Sequence, residues 1–222
     1  MKPSPSTLIR LNKAHFPVTV LGPGRRIGLW VQGCTLHCRC CLSQDTWAVD
    51  SGTTLPVNLL LEWCQSVADD RLDGVTISGG EPFEQSEALA ELLDGLQQWR
   101  TTRPEPFDIL CYSGLSYTRL QTEFPSILTR LDGLIPEPYL NHRPLGGAWR
   151  GSDNQPLIAL SPLGETRYGA TVPLPPARKR LQINVENEAV WFIGIPNRGD
   201  LAVLEQRCRD RGLTLGEVSW RP

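Results

Sequence analysis

The stretch GVTISGGEPF, Gly74 to Phe83, decides how this chain is read. Its first half, Gly74–Ser78, is short and apolar, which predicts a buried strand. The strand runs into two consecutive glycines, which predict a turn. Helical stripes lie on both sides. Upstream, Leu60, Trp63, Cys64, Val67 and Ala68 recur at helical spacing and predict a helix over 57–68. Downstream, Leu89, Leu92, Leu93 and Leu96 form one stripe of a helix over 86–100. A strand over Phe107–Ser113 follows, then a helix over Tyr117–Leu131 interrupted near Pro125, then a strand over Gly133–Ile135. Strand and helix alternating at this rhythm give βαβ units, a parallel sheet and an α/β fold. The crossovers are right-handed, so the sheet winds in one sense.

Working outward, residues 1–16 show little periodicity and read as an edge strand or arm. The run VTVLGPGRRIGLWVQG reads as two short strands around a Gly-Pro-Gly turn, the second over Ile27–Gln32. Residues 137–155 have no periodicity, and a stretch that long is usually functional or disordered. Pro156–Ser161 reads as a further strand. RLQINV and AVWFIGIP flank ENE as a hairpin. A last helix is expected over Asp200–Arg211, with Asp200 as N-cap and Gly212 just past its end. This divides the chain into an arm (1–25), a core (26–177) and a C-terminal hairpin and helix (178–222) packed on the same domain.

Of the 222 residues, 40% are hydrophobic and 21% charged, as in ordinary soluble proteins. No apolar run approaches the ~20 residues of a membrane span. The start, MKPSPSTLIR, lacks a secretory apolar region, so a cytoplasmic location is expected. A net charge of −2 argues against general nucleic-acid binding. The basic cluster Arg178, Lys179 and Arg180 reads as a strand cap or a solvent-facing patch. A disulfide framework is not expected for seven cysteines in such a chain. Cys64 and Cys208 sit on apolar helical stripes and read as small buried hydrophobes, and Cys111 reads as core at a strand end.

The other four cysteines crowd into CTLHCRCC, Cys34 to Cys41. Three metal readings compete. Zinc would take four ligands, for example three cysteines and His37, but its structural sites usually combine two separated pairs. A complete [4Fe–4S] cage would take four thiolates, yet the adjacent Cys40 and Cys41 seldom both aim at one cluster. In the third reading Cys34, Cys38 and Cys41 hold three irons and the fourth stays open, as catalytic zinc keeps an open position.

Cys-x3-Cys-x2-Cys after a strand resembles the signature of the radical S-adenosylmethionine (SAM) enzymes, and ISGGEPF resembles their GGE motif. Consecutive glycines let backbone approach a ligand closely. Both motifs follow strand C-terminal ends, where parallel α/β barrels place active sites. GLWVQGC, SQDTW, DGLIPEPY and GAWRGSDNQPLI narrow the resemblance, over about residues 25–160, to the small activating enzymes of glycyl radical enzymes. The nearest likeness is to the activating proteins of anaerobic ribonucleotide reductases.

The resemblance implies a partial parallel (β/α)6-type barrel and one [4Fe–4S] cluster on Cys34, Cys38 and Cys41. It implies reductive cleavage of SAM to a 5′-deoxyadenosyl radical that takes hydrogen from a glycine of a partner protein. Gly79, Gly80 and Glu81 would form the SAM amino-group turn, and the backbone at Cys40 would lie against adenine. Ser113 would be a polar SAM contact or, equally, a turn serine. Arg150, Asn154 and Gln155 would lie on the substrate side or brace a long loop. An electron donor such as flavodoxin or ferredoxin would be needed. Two departures stand out: Cys40 occupies a position often aromatic or glycine, and Pro136-Glu137 replaces the usual Asp-Gly. Other readings are a radical SAM enzyme acting on a peptide or small molecule, and a non-catalytic iron–sulfur protein.

Overall fold

The computed structural model describes residues 6–50, 52–143, 146–147, 149–169, 180–186 and 189–220. Its main sheet has seven strands. Four run parallel: β2 (Arg26–Val31), β4 (Gly74–Gly79), β5 (Asp108–Tyr112) and β6 (Gly133–Ile135). β1 (Leu8–Val18) pairs antiparallel with β2, β3 (Thr53–Pro56) with β1, and β7 (Ile158–Ala159) with β6. The order is β3-β1-β2-β4-β5-β6-β7. A separate hairpin joins β8 (Leu181–Glu186) and β9 (Ala189–Gly194).

The core forms where the predicted stripes meet the sheet. Ile27, Leu29, Val31, Val75, Ile77 and Ile109 pack against Leu60 and Cys64 of α1 (Val57–Val67) and Leu89, Leu92, Leu93 and Leu96 of α2 (Ser86–Arg100). Each such leucine contributes about 1.5–3 kcal/mol by leaving water. Pro125 splits the third helix as expected. It cannot donate to the preceding turn, so α3 (Tyr117–Glu123) ends at Phe124 and Pro125 opens α4 (Pro125–Leu128).

At the N-terminal ends of the parallel strands, Arg26, Gly74 and Asp108 stand side by side in register. Gly74 makes the room: a Cβ there would lie 2.2 Å from the Arg26 guanidinium. Arg26 donates to both oxygens of Asp108, at 2.6 and 3.0 Å, and to Thr76 Oγ1 at 2.6 Å. Tyr168, from α5 (Pro162–Tyr168), also donates to Asp108. Arg26 and Asp108 are fully buried, so the pair is a sealed plug.

Several expectations need correcting. The strand expected at the start of the chain is not an edge or a free arm: β1 lies inside the sheet, because β3, which no sequence signal marks, pairs on its outer side. The strand over 156–161 shrinks to Ile158–Ala159 because Ser161 caps α5, accepting from Gly164 N at 3.0 Å. The last helix, α6 (Asp200–Arg209), has Gly199 at its cap, not Asp200, whose carboxylate binds Asn197 instead. α6 buries no residue, so Cys208 is only half-buried rather than core, whereas Cys64 and Cys111 are fully buried. Arg178, Lys179 and the boundary at 177/178 lie outside the described residues, and Arg180 is exposed. Among the described residues no helix is long and apolar enough to cross a membrane.

Candidate functional site

β2 delivers the cysteine loop. Gly33 turns the chain at φ 102°, and its N–H donates to Thr46 O at 2.7 Å, while Cys34 N donates to Trp47 O at 3.1 Å. Those two bonds close residues 33–47 into a compact loop. Buried Gln32 holds the returning chain: its Nε2 donates to the carbonyls of Asp45 and Ala48, and its Oε1 accepts from Asn12 at 2.7 Å. Within the loop, His37 (φ 43°) and Cys40 (φ 62°) adopt left-handed backbone, and Cys41 N donates to Cys38 O at 3.0 Å. His37 stacks on Trp47, with ring centroids 4.6 Å apart.

β4 delivers the glycine turn against that loop. Gly80 N donates to Val31 O and Glu81 N to Gly33 O, both at 2.8 Å. A Cβ at Gly80 would sit 2.1 Å from Gly33 O, and one at Gly79 (φ 105°) 2.4 Å from Val31 N. Only glycine permits this backbone-on-backbone approach. The Glu81 side chain turns inward, accepting from Gly114 N at 2.7 Å, Ser113 Oγ at 2.9 Å and Phe83 N at 3.1 Å. It thereby ties the C-terminal ends of β4 and β5 together. Burial pushes the Glu81 carboxyl up to about 7, against the pull of its three donors. Ser113 Oγ also accepts from Leu115 N at 3.0 Å, so the hydroxyl is engaged on both sides.

Cys34, Cys38, Cys40 and Cys41 line one cavity of about 1370 Å³ together with Gly79, Gly80, Glu81 and Ser113. This exceeds the roughly 300–1,000 Å³ of a small-molecule pocket. All four cysteines are free thiols, and Cys40 is the exposed one. Burial pushes the Cys34 thiol up to about 11 and raises Cys38 and Cys41 as well. Cys38 stands close enough that its charge raises Cys41 further. Among the described residues no three His, Cys, Asp or Glu side chains are drawn tightly enough together to hold a metal ion as they stand. The donor set nonetheless fits an iron–sulfur cluster: three soft thiols from one loop, facing one cavity, whose deprotonation a metal would drive.

The downstream residues divide. Gln155 reaches the cavity. Its Oε1 accepts from Gly151 N and Ser152 N at 3.0 and 3.2 Å, and its Nε2 donates to Glu137 O at 2.9 Å. Arg150 donates to Gln155 O and Asn154 to Pro138 O, both at 2.9 Å, so these two brace the loop rather than line the cavity. Glu137 explains its own departure. Its φ is 80°, a conformation that favours glycine, and its carboxylate is employed in accepting from Tyr117 N at the start of α3, at 2.9 Å. Sequence reasoning missed the roles of Gln32 and Gln44 and of the aromatic lining residues Tyr139, Phe192 and Trp220. GLWVQGC and SQDTW carried the first two and DGLIPEPY carried Tyr139; nothing local marked Phe192 or Trp220.

The family model of the 4Fe-4S single cluster domain matches residues 20–158. The chain is 30% identical over 145 residues to the anaerobic ribonucleoside-triphosphate reductase-activating protein of Vibrio cholerae, covering 64% of this chain and 92% of that protein. The protein of the same name from Enterobacteria phage T4 is 30% identical over 138 residues, 62% of this chain and 86% of its own. That of Escherichia coli K12 is 27% identical over 145 residues, 64% and 93%. With its cysteine loop and glycine turn on one cavity, the chain belongs to the 4Fe-4S single cluster domain family and is a relative of the anaerobic ribonucleoside-triphosphate reductase-activating proteins.

Proposed function

We propose that this protein is a radical SAM activase that generates a glycyl radical on a partner anaerobic ribonucleotide reductase. The observation that carries the reading is the juxtaposition, in one cavity, of Cys34, Cys38 and Cys41 with the Gly79–Gly80–Glu81 turn at the C-terminal ends of parallel strands. The names of the relatives support the choice of partner. The parallel strands β2, β4, β5 and β6 are read as part of a radical SAM partial barrel.

In this reading Cys34, Cys38 and Cys41 hold one [4Fe–4S] cluster. When bound, the cluster and SAM together supply one-electron cleavage of the sulfonium and hydrogen-atom abstraction. The chain's own residues supply position. The amides of Gly80 and Glu81 are spent on Val31 and Gly33, and Glu81 O already accepts from Glu84 N at 3.1 Å, so the Gly80 carbonyl oxygen is the group this turn would offer a ligand. Carbonyls accept from an ammonium group, which suits the amino end of SAM. Glu81, Ser113 and Gly114 fix the neighbouring strand end, so the turn does not yield when a ligand docks. Cys40, in left-handed backbone between two ligands, lines the same cavity, and its backbone would lie against the adenine. The volume leaves space for a peptide segment beside the cofactors.

Anaerobic reconstitution with iron and sulfide, then dithionite and SAM, tests the reading. The expected result is 5′-deoxyadenosine, and a glycyl signal by paramagnetic resonance once a purified anaerobic ribonucleotide reductase is added. No 5′-deoxyadenosine would remove the radical SAM reading. 5′-Deoxyadenosine with no glycyl signal would redirect it to a peptide or small-molecule substrate.

A further inference from the structure

The segment from Ala189 to Trp220 lies beyond the span that matches the family, yet much of it lines the cysteines' cavity. It is anchored in stages. Ile193 is buried against Val18, Val20, Leu21 and Trp30, which docks the hairpin on the main sheet. Gln182 adds polar pins, accepting from Thr19 N at 3.0 Å and donating to Pro17 O at 2.7 Å. After α6 the chain returns, and Trp220 donates to Glu205 at 2.8 Å with its ring edge-on to Phe192.

From that base the segment reaches the cysteine loop. Ser219 Oγ donates to Leu42 O at 2.9 Å, and Ser219 O accepts from Gln44 N at 2.8 Å. Gln44 Nε2 lies between the carbonyls of Cys41, at 3.2 Å, and Trp220, at 3.5 Å. The residues just after the last cysteine are therefore clasped by a segment distant in sequence. Ile195, Leu215, Val218 and Trp220 of this segment line the same cavity as Glu81, Ser113 and Gln155.

We infer that residues 214–220 are a resident strap of the site, in which Ser219 and Gln44 are positioning residues that hold the Cys41 end of the loop. The strap's contribution to cluster retention rests on the ligand assignment proposed above; its hold on the loop does not. A loop pinned at Leu42 and Gln44 samples fewer backbone states, so its thiol is offered in place rather than searched for.

Two measurements separate these claims. In the metal-free chain, the rate of N-ethylmaleimide labelling is followed at each cysteine by mass spectrometry. Exposed Cys40 serves as the internal reference and buried Cys64 as the reporter of unfolding. Ser219→Ala, Gln44→Ala and deletion of 214–222 should raise the Cys41-to-Cys40 ratio roughly two- to tenfold, the effect of losing one or two hydrogen bonds. An unchanged ratio overturns the strap. If the deletion unmasks Cys64, the two point variants decide, and no change in either overturns it.

In the reconstituted chain, iron release to a chelator should accelerate in the same order as the labelling. Equal release from wild type and variants, despite faster labelling, overturns the positioning role. If the wild type takes up no iron, the cluster assignment fails while the labelling result still decides the strap.

Discussion

The two ends of the parallel sheet are built from the same materials to opposite effect. At the N-terminal end, β4 contributes Gly74, and the space it leaves is filled by the Arg26 guanidinium reaching Asp108. At the C-terminal end, β4 contributes Gly79 and Gly80, and the space is filled by the backbone of Val31 and Gly33. One end is closed by side chains that satisfy each other and are sealed from water. The other is closed by main chain and leaves the cysteines and the glycine turn lining a cavity. Glycine is a device for close approach in both places; what approaches decides whether the result is a plug or a site.

The sharpest break between the two ends comes from the thiols. Cys34→Ala, Cys38→Ala and Cys41→Ala should each lose nearly all cluster iron on reconstitution while the apo chain melts as wild type. Cys40→Ala should retain the iron, measured colorimetrically per chain; loss of iron in that variant would overturn the ligand assignment. Asp108→Ala should do the reverse. Removing one partner of a buried pair costs about 3–5 kcal/mol, read by denaturant unfolding. Any chain that still folds should bind iron normally.

Glu81 belongs to both ends of the argument, since it is a buried acid inside the site. Its folded pKa of about 7 stands above the unfolded value of 4.5, so the folded state binds the proton more tightly. Its stabilising contribution is complete below the unfolded value and is lost as pH rises through about 7. The stability advantage of wild type over Glu81→Gln in the metal-free chain should therefore shrink from pH 5 to pH 7.5, by roughly 3 kcal/mol at most. A constant difference would show that the three donors outweigh burial. The smallest effect is expected at Glu137→Gly. Relief of left-handed backbone, roughly 1–2 kcal/mol, is offset by loss of the cap on Tyr117, about 1 kcal/mol. The melting temperature should move by a few degrees at most.

Periodicity made α1, α2 and the parallel strands legible because their burial is one-sided and repeats within a short window. β3 was not legible: TTLP is four residues long, ends in proline and becomes a strand only by pairing with β1. α5 carried a signal, Ser161-Pro162 with Glu165 behind it, but two of its seven residues are the only buried ones, too few for a stripe. In the site, the cysteine spacing and the glycine pair announced themselves because each is local. The inward turn of Glu81 was not legible, since its partners Ser113 and Gly114 lie on another strand. Nor was the approach of Ser219, since nothing near position 219 refers to position 42.

That separation has a consequence in time. Ser219 and its acceptor Leu42 are 177 positions apart. At a synthesis rate of roughly 5–20 residues per second, the cysteine loop is made some 10–35 s before the residues that clasp it. A newborn chain therefore passes through an interval in which the four thiols are present and their clasp is not.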